Sequence, residues 1–232
     1  MLVPRSEFIK QLEGIEETVG KLAEKAVADI RLAASALAGD DAAAREALSG
    51  VKVERRLRSA IEERCLDAML LQQPLVAGDL RLVTSAFRLV SDLSHIDGMA
   101  RDVAYLALGL PSEVTARLEG EFASASEKVC AMVEEAARAF SEADADRARA
   151  VFAMDDEVDA LYEKAEGVVV DMIKASETRA KYLPELLMVA KYFERMGDDA
   201  ARIADWAVFR ATGEHAGRVD PVVEDDSVEA GE

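Results

Sequence analysis

Near its C-terminal end the chain reads Tyr192-Phe193-Glu194-Arg195-Met196-Gly197-Asp198-Asp199-Ala200-Ala201-Arg202-Ile203-Ala204. One hundred residues earlier it reads Asp92-Leu93-Ser94-His95-Ile96-Asp97-Gly98-Met99-Ala100-Arg101-Asp102-Val103-Ala104. The apolar positions agree: Leu93 with Phe193, Ile96 with Met196, Ala100 with Ala200, Val103 with Ile203. The acids do not, since Glu194 faces Ser94 and Asp198 faces Gly98. An internal repeat sets the architecture of a chain, so this pair of phrases implies two related units that differ in their chemistry.

Outward from the phrase, helical periodicity continues in both directions and strand patterns are scarce. Six long helical segments are expected. They run from about Glu7 to Leu37, Asp41 to Gln73, Asp79 to Leu108, Ser112 to Ser141, Asp144 to Thr178, and Pro184 to just before Gly213. Gly39, Pro74, Gly109 with Pro111, and Gly213 provide the stops, and Ser112 and Pro184 suit helix starts. The fold class is therefore all-α, built as two sequence-related three-helix bundles packed side by side. The first covers residues 5–110, the second residues 111–212, and residues 213–232 form an acidic tail expected to be disordered, with a solvated His215.

Of 232 residues, 50% are hydrophobic and 5% aromatic, which favours packed helices over disorder. A net charge of −18 argues against nucleic acid, whose phosphates require a basic surface, and against electrostatic attachment to anionic lipid. It suits cations or basic protein surfaces. Cys65 and Cys130 have no CxxC spacing and are read as buried free thiols. No signal peptide is expected, because no basic n-region and apolar h-region open the sequence. No uncharged apolar run approaches the ~20 residues of a membrane span. These features point to a cytoplasmic protein without membrane insertion.

The fifth segment carries a seam, Val151, Met154, Val158, Leu161, Ala165, Val168, Met172 and Ala175. The sixth carries Leu186, Ala190, Phe193, Gly197, Ala200, Ala204 and Ala207. Seams with alternating 3–4 spacing pack helices nearly antiparallel. Asp155 and Asp159, and likewise Glu194 and Asp198, each follow a seam residue by one position and share a helix face at i,i+4. They are expected at the edge of the contact. Two unit charges ~5 Å apart repel by roughly 3 kcal/mol at an effective dielectric of ~20, so four converging carboxylates need protons or a cation. Oxygen-only ligation suits hard ions. With 46 acids in the chain, ordinary surface acids are the competing reading.

Asp156, Asp199 and Asp205 lie nearby, and Asp205 shares the stripe of Asp198, where it could join a second ion. In the first repeat the matching positions are Gly50, Glu54, Ser94 and Gly98. Glu54 is expected to pair with Arg58, and Asp97, one residue from the lost acid, to turn toward the seam. His95, opposite Arg195, is read as a surface or capping residue.

At this point the chain resembles the PhoU family of accessory regulators of phosphate uptake. Leu70-Leu71-Gln72-Gln73-Pro74-Leu75-Val76-Ala77-Gly78-Asp79-Leu80-Arg81 resembles its first-repeat signature, a Gln-Pro pair followed by Asp-Leu-Arg. Phe193 to Ala200 resembles "LERIGDHA", and Asp155 to Leu161 resembles "DxxVDxL". The resemblance covers about residues 5 to 212. It implies two three-helix repeats and metal on the acidic motifs, often one cluster per repeat. Carried over by residue, the metal ligands are Asp155, Asp159, Glu194 and Asp198, with Mg, Ca, Mn, Zn or Fe as candidate ions. The motif fails at Gly50, Ser94 and Gly98, so a first-repeat cluster is not expected.

The resemblance further implies a non-enzymatic role. The protein would repress the phosphate-starvation response through contacts with a high-affinity phosphate ABC transporter and a sensor histidine kinase. A low-affinity phosphate permease is an alternative partner, and long apolar seams make a homodimer plausible. The enzyme alternative, a carboxylate-bridged di-metal oxidase, normally uses Glu-x-x-His on two helices, and His95 and His215 lack that spacing.

Overall fold

The computed structural model describes residues 5–71, 75–175 and 180–216. Gln73, Pro74, Thr178 and residues 217–232, to which some of the expected stops and most of the tail belong, lie outside the described residues. The described chain is helical, and no strand occurs among the described residues. We number the helices α1 (Arg5–Leu37), α2 (Asp41–Ser49), α3 (Val51–Leu71), α4 (Ala77–Ala107), α5 (Ser112–Thr115), α6 (Glu119–Glu142), α7 (Ala145–Lys174) and α8 (Leu183–Thr212). Short 3-10 turns precede α6 and α8. Six of these helices are long, as the periodicity predicts.

The two halves are built by one recipe. Asp40 caps α2 by accepting from the N–H groups of Ala42 and Ala43 at 2.9 and 3.1 Å. Asp144 caps α7 in the same way, from Asp146 and Arg147 at 3.0 and 3.0 Å. Such caps satisfy donors that a helix start leaves orphaned. Before each cap the chain reverses through a left-handed residue, Gly39 at φ 102° and Ala143 at φ 52°. An L side chain disfavours that region, so Ala143 is strained where Gly39 is not.

The expected second helix is in fact two, because the chain breaks at Gly50. The Gly50 N–H reaches back to Ala47 O at 3.1 Å, and Gly50 O accepts from both Val53 and Glu54 at 2.9 and 3.3 Å. A Cβ at Gly50 would lie 2.5 Å from Lys25 Nζ, so a side chain there would displace the lysine head. Its counterpart α7 runs unbroken for 30 residues.

α4 and α8 are the spine of the molecule, and they pack antiparallel. Going down α4 and up α8, Arg81 lies against Gly213, Arg88 stacks 5.5 Å over the Trp206 ring, Asp92 accepts from Arg202 at 3.3 Å, and His95 Nδ1 meets Asp199 at 2.9 Å. Beyond the crossing, Asp102 hydrogen-bonds Tyr192. The two copies of the repeated phrase therefore pack on each other. Leu93, Ile96, Ala100 and Val103 are buried against Phe193, Met196, Ala200 and Ile203 in one continuous core. A second seam joins α1 to α6, where Cys130 Sγ approaches Val27 O at 3.9 Å. α3 packs on α1 and α4, and α7 on α6 and α8, so these two helices lie outermost.

His215 is exposed, as expected, yet it is not free of the fold. It stacks on Phe209 at 4.8 Å and meets the Trp206 ring edge-on at 4.9 Å. The described chain thus stays folded against α8 through Ala216. No described helix is long and apolar enough to cross a membrane.

Two outcomes follow from these observations. Ala143→Gly removes left-handed strain and should stabilise the chain by about 0.5–1 kcal/mol in urea denaturation. Burial pushes the thiols of Cys65 and Cys130 up to about 12 and about 11. Both should resist thiol reagents at pH 8 until the chain unfolds, when ordinary reactivity returns.

Candidate metal centre

α7 and α8 meet at a glycine. A Cβ at Gly197 would come within 2.9 Å of Asp155 Oδ1 and 3.4 Å of Val158 Cγ1. The missing side chain lets α7 approach closely and makes room for Asp155, which is 0% exposed. Asp155 was expected at the edge of the seam, but it lies inside it. A carboxylate held there must be protonated or face positive charge, because its ionised form loses the solvation of water.

The other three predicted ligands are half-buried and border the same helix contact. Glu194 Oε1 accepts from Lys191 Nζ at 2.6 Å, while its Oε2 is buried without a hydrogen-bond partner. Asp155, Asp159 and Asp198 each take part in a polar or electrostatic interaction. Burial works to lower the Lys191 ammonium, but the hydrogen bond to Glu194 and the fields of Glu194, Tyr162 and Asp198 outweigh it, so its pKa lies above the ordinary value. Lys191 also sits 4.9 Å over the Tyr162 ring. It is the positive charge bound to Glu194, and its place three residues before Glu194 was visible in the sequence although its role was not.

The arrangement stops short of a closed cluster. Among the described residues, no three His, Cys, Asp or Glu side chains gather closely enough to hold a metal ion. Asp155 is brought onto Gly197, between Glu194 and Asp198 in sequence, but the four carboxylates are not drawn together. The donor set still fits a hard cation: all donors are oxygens, one carboxylate is fully buried, and one Glu194 oxygen lacks a partner.

Neighbouring acids have other duties. Asp199 faces α4, where it pairs with His95 at 2.9 Å and with Arg202. Asp205, considered for a second ion, instead binds His215 Nδ1 at 2.5 Å and accepts from the Ala216 N–H at 2.7 Å. Asp156 is exposed.

At the matching place in the first half the polarity is exchanged. The repeat sets Asp97 opposite Gly197 and Gly50 opposite Asp155. Here the buried carboxylate comes from α4: Asp97 is 0% exposed, turned inward as its one-residue offset predicts. The notch is at Gly50, and Lys25 of α1 fills it. Lys25 Nζ lies 3.2 Å from Asp97 and also binds Asp29, which is itself buried, and Arg101 completes the group. For Asp29, burial outweighs the Lys25 hydrogen bond and raises the pKa. Glu54 is buried, and Arg58 does not bond it as expected; it reaches one turn further to Glu62 at 2.9 Å. An ammonium on the chain itself thus supplies the positive charge here. Lys25 was overlooked in the sequence because Asp97, its partner across the core, comes from α4, 72 residues away.

Gly197→Val should force α7 away from α8 and cost about 1–3 kcal/mol in urea unfolding, whereas Gly20→Ala, which meets nothing within 4 Å, should be neutral or stabilising. Lys25→Met keeps the stem but removes the charge facing two buried carboxylates. It should cost on the order of 3 kcal/mol, and Lys25→Met with Asp29→Asn should recover part of that loss.

Comparisons with known proteins bear on the family and the fold. The PhoU domain matches twice, over residues 19–107 and 122–207. The PhoU homologue of Aquifex aeolicus, a phosphate-specific transport system accessory protein, is 31% identical over 89% of this chain and 94% of its own. A homologue of the same description from Methanothermobacter thermautotrophicus is 29% identical over 91% of this chain and 97% of its own. The crystal structure of the phosphate transport system regulatory protein PhoU from Streptococcus pneumoniae superposes with a TM-score of 0.81 at 23% identity, covering 90% of this chain and 98% of that one. That of PhoU from Pseudomonas aeruginosa gives 0.73 at 27% identity, covering 90% and 97%. With two helical repeats, a shared fold along nearly the whole chain and the domain matched in each half, the chain belongs to the PhoU family.

Proposed function

We propose that this chain is a metal-binding, non-enzymatic regulator of phosphate homeostasis that acts with a phosphate transport system. The relatives named above are described as accessory or regulatory proteins of that system, which supports the placement. In detail the reading is negative regulation of the phosphate-starvation response, in the cytoplasm, as a homodimer in contact with a phosphate ABC transporter and a sensor histidine kinase. The acidic surface, at a net charge of −18, suits basic faces on such partners.

The observation that carries the metal part is the α7–α8 contact, with Asp155 buried at Gly197 and Glu194 and Asp198 on either side in sequence. Bound there, a divalent cation supplies the charge that lets the four carboxylates approach one another. Oxygen donors favour Mg, Ca, Mn or Fe over Zn, which prefers nitrogen and sulfur. On this reading Glu194 exchanges Lys191 for the ion, and Lys191, 44% exposed, returns its ammonium to solvent. Asp155 and Asp159 from α7 and Glu194 and Asp198 from α8 then tie the outermost helix of the second half to the spine. Metal occupancy would set how firmly α7 is held and hence which surface a partner meets.

Elemental analysis of the purified chain tests this. Glu194→Gln and Asp198→Asn should each lose bound metal, and Glu54→Gln should retain it. Lys191→Met, lacking the competing ammonium, should bind Mn²⁺ several-fold more tightly. Equal metal loss from Glu54→Gln would refute a site confined to the second half. For the regulatory part, deletion in the source cell should derepress a phosphate-starvation reporter, and the chain should capture the transporter ATPase or the kinase in a phosphate-dependent manner. An unchanged reporter contradicts the role.

A further inference from the structure

The seam between α1 and α6 is closed where Cys130 meets Val27, and it opens about two turns further along, where α1 ends. A cavity of about 290 Å³ lies there, between the end of α1 and the first turns of α6. It runs on into a neighbouring cavity of about 350 Å³, and the two share Leu37, Ala38, Thr115 and Glu119. Apolar side chains form the floor of the first cavity, with Leu37 6% and Phe122 3% exposed. Cavities of roughly 300 Å³ and above are the size that takes small molecules. The Phe122 ring packs on Phe193 at 6.2 Å between centroids, and this ring pair stands between the cavity and Glu194, so the place is distinct from the α7–α8 contact.

The polar side chains on the wall of the first cavity accept hydrogen bonds and have none to give. Ser35, Thr115 and Ser126 each donate the hydroxyl hydrogen to a nearby carbonyl, Arg31 O at 3.0 Å, Ser112 O at 3.1 Å and Ala123 O at 2.8 Å. Thr115 and Ser126, 5% and 6% exposed, accept no hydrogen bond among the described residues and keep oxygen lone pairs to offer a ligand. The other polar side chains on the wall are Glu119 and Glu127. Neither has an ion pair among the described residues, whereas Glu121, Glu134 and Glu135 of the same helix are bound by Lys164, Arg31 and Arg147. Among the described residues no Lys or Arg lines either cavity. α1 ends here without a basic residue in its last turn, so the negative end of its dipole adds to the same field.

We propose that this cavity binds an aliphatic polyamine. Glu119, Ala123 and Glu127 follow one another at i, i+4 and i+8 along α6, so the two carboxylates stand about 12 Å apart along the helix with only a methyl side chain between them. A ligand that satisfies this wall carries charged N–H donors at both ends and methylenes in between. Its ammonium groups meet Glu119 and Glu127, its remaining N–H groups give to the Thr115 and Ser126 oxygens, and its methylenes cover Ala123 and Phe122. A bare metal ion suits the place poorly, because a hard cation needs its oxygens gathered around one point and these two carboxylates are separated by two turns over an apolar floor.

The test is isothermal titration calorimetry of the full chain with spermidine, at about 0.15 M salt so that long-range attraction is screened. The native chain should bind spermidine saturably at a single site, and 1-aminobutane, with its single ammonium, should bind about tenfold more weakly or worse. Glu119→Gln with Glu127→Gln should weaken spermidine by about tenfold or more. Ala123→Leu, which sets a branched side chain between the acids at an exposed position the fold tolerates, should weaken it as well. Glu46→Gln with Glu63→Gln removes the same charge from exposed acids of α2 and α3 and should leave binding unchanged, as should Glu194→Gln at the α7–α8 contact. Equal weakening by the Glu46 and Glu63 pair overturns the proposal, because the attraction is then diffuse. Binding that survives the Glu119 and Glu127 pair, or that is lost with Glu194, overturns it by placing the ligand elsewhere. Binding of 1-aminobutane as tight as that of spermidine overturns the two-ended ligand.

Discussion

α4 and α8 pack antiparallel through the two copies of one thirteen-residue phrase, and every other element takes its place from that contact. The matched apolar residues of the phrase are spent on the crossing, which is why they repeat so closely when little else does. Leu93, Ile96, Phe193 and Met196 lie at its centre with almost no exposed surface. The polar pairs run outward on both sides, from His95 with Asp199 to Asp92 with Arg202 and Asp102 with Tyr192. Because each half gives its third helix to the spine, the remaining helices stack beside it, and α3 and α7 end up outermost.

That placement leaves each half with a fully buried carboxylate at the matching helix contact, Asp97 in the first and Asp155 in the second, and the surroundings of the two differ. In the second half Asp155 reaches from α7 into a notch at Gly197, and the nearby ammonium, Lys191, is bound to Glu194 at 2.6 Å. In the first half Asp97 reaches from α4, and Lys25 fills the notch at Gly50 from within the chain. The first half's cation is built into the chain. On the proposed reading the second half recruits its own, and such a cation can be lost.

The sequence revealed the fold because an apolar residue states its burial directly through its spacing. The six long helices, the starts near Asp41 and Asp144 and the Gly39 and Gly213 stops follow from that pattern. The break at Gly50 did not, because glycine inside a helical pattern is legible only once Lys25 is known to need its space. The candidate site was legible along one helix at a time: i,i+4 spacing placed Asp155 with Asp159 and Glu194 with Asp198. Depth was not legible, and Asp155 proved to be inside the seam because Gly197, on another helix, has no side chain. The choice among partners was the least visible. Arg58 chose Glu62 over Glu54, Asp205 turned to His215, and Lys25 bridged its own helix neighbour Asp29 to Asp97 of α4.

The account therefore turns on one asymmetry, a recruited cation in the second half and a lysine in the first. Crystals of the intact chain grown with Mn²⁺ and measured at the manganese absorption edge address it most directly. The account predicts anomalous density between α7 and α8, beside Asp155 and Glu194, and none beside Lys25, Asp29 and Asp97. Density at the Lys25 group, or none between α7 and α8, would contradict it.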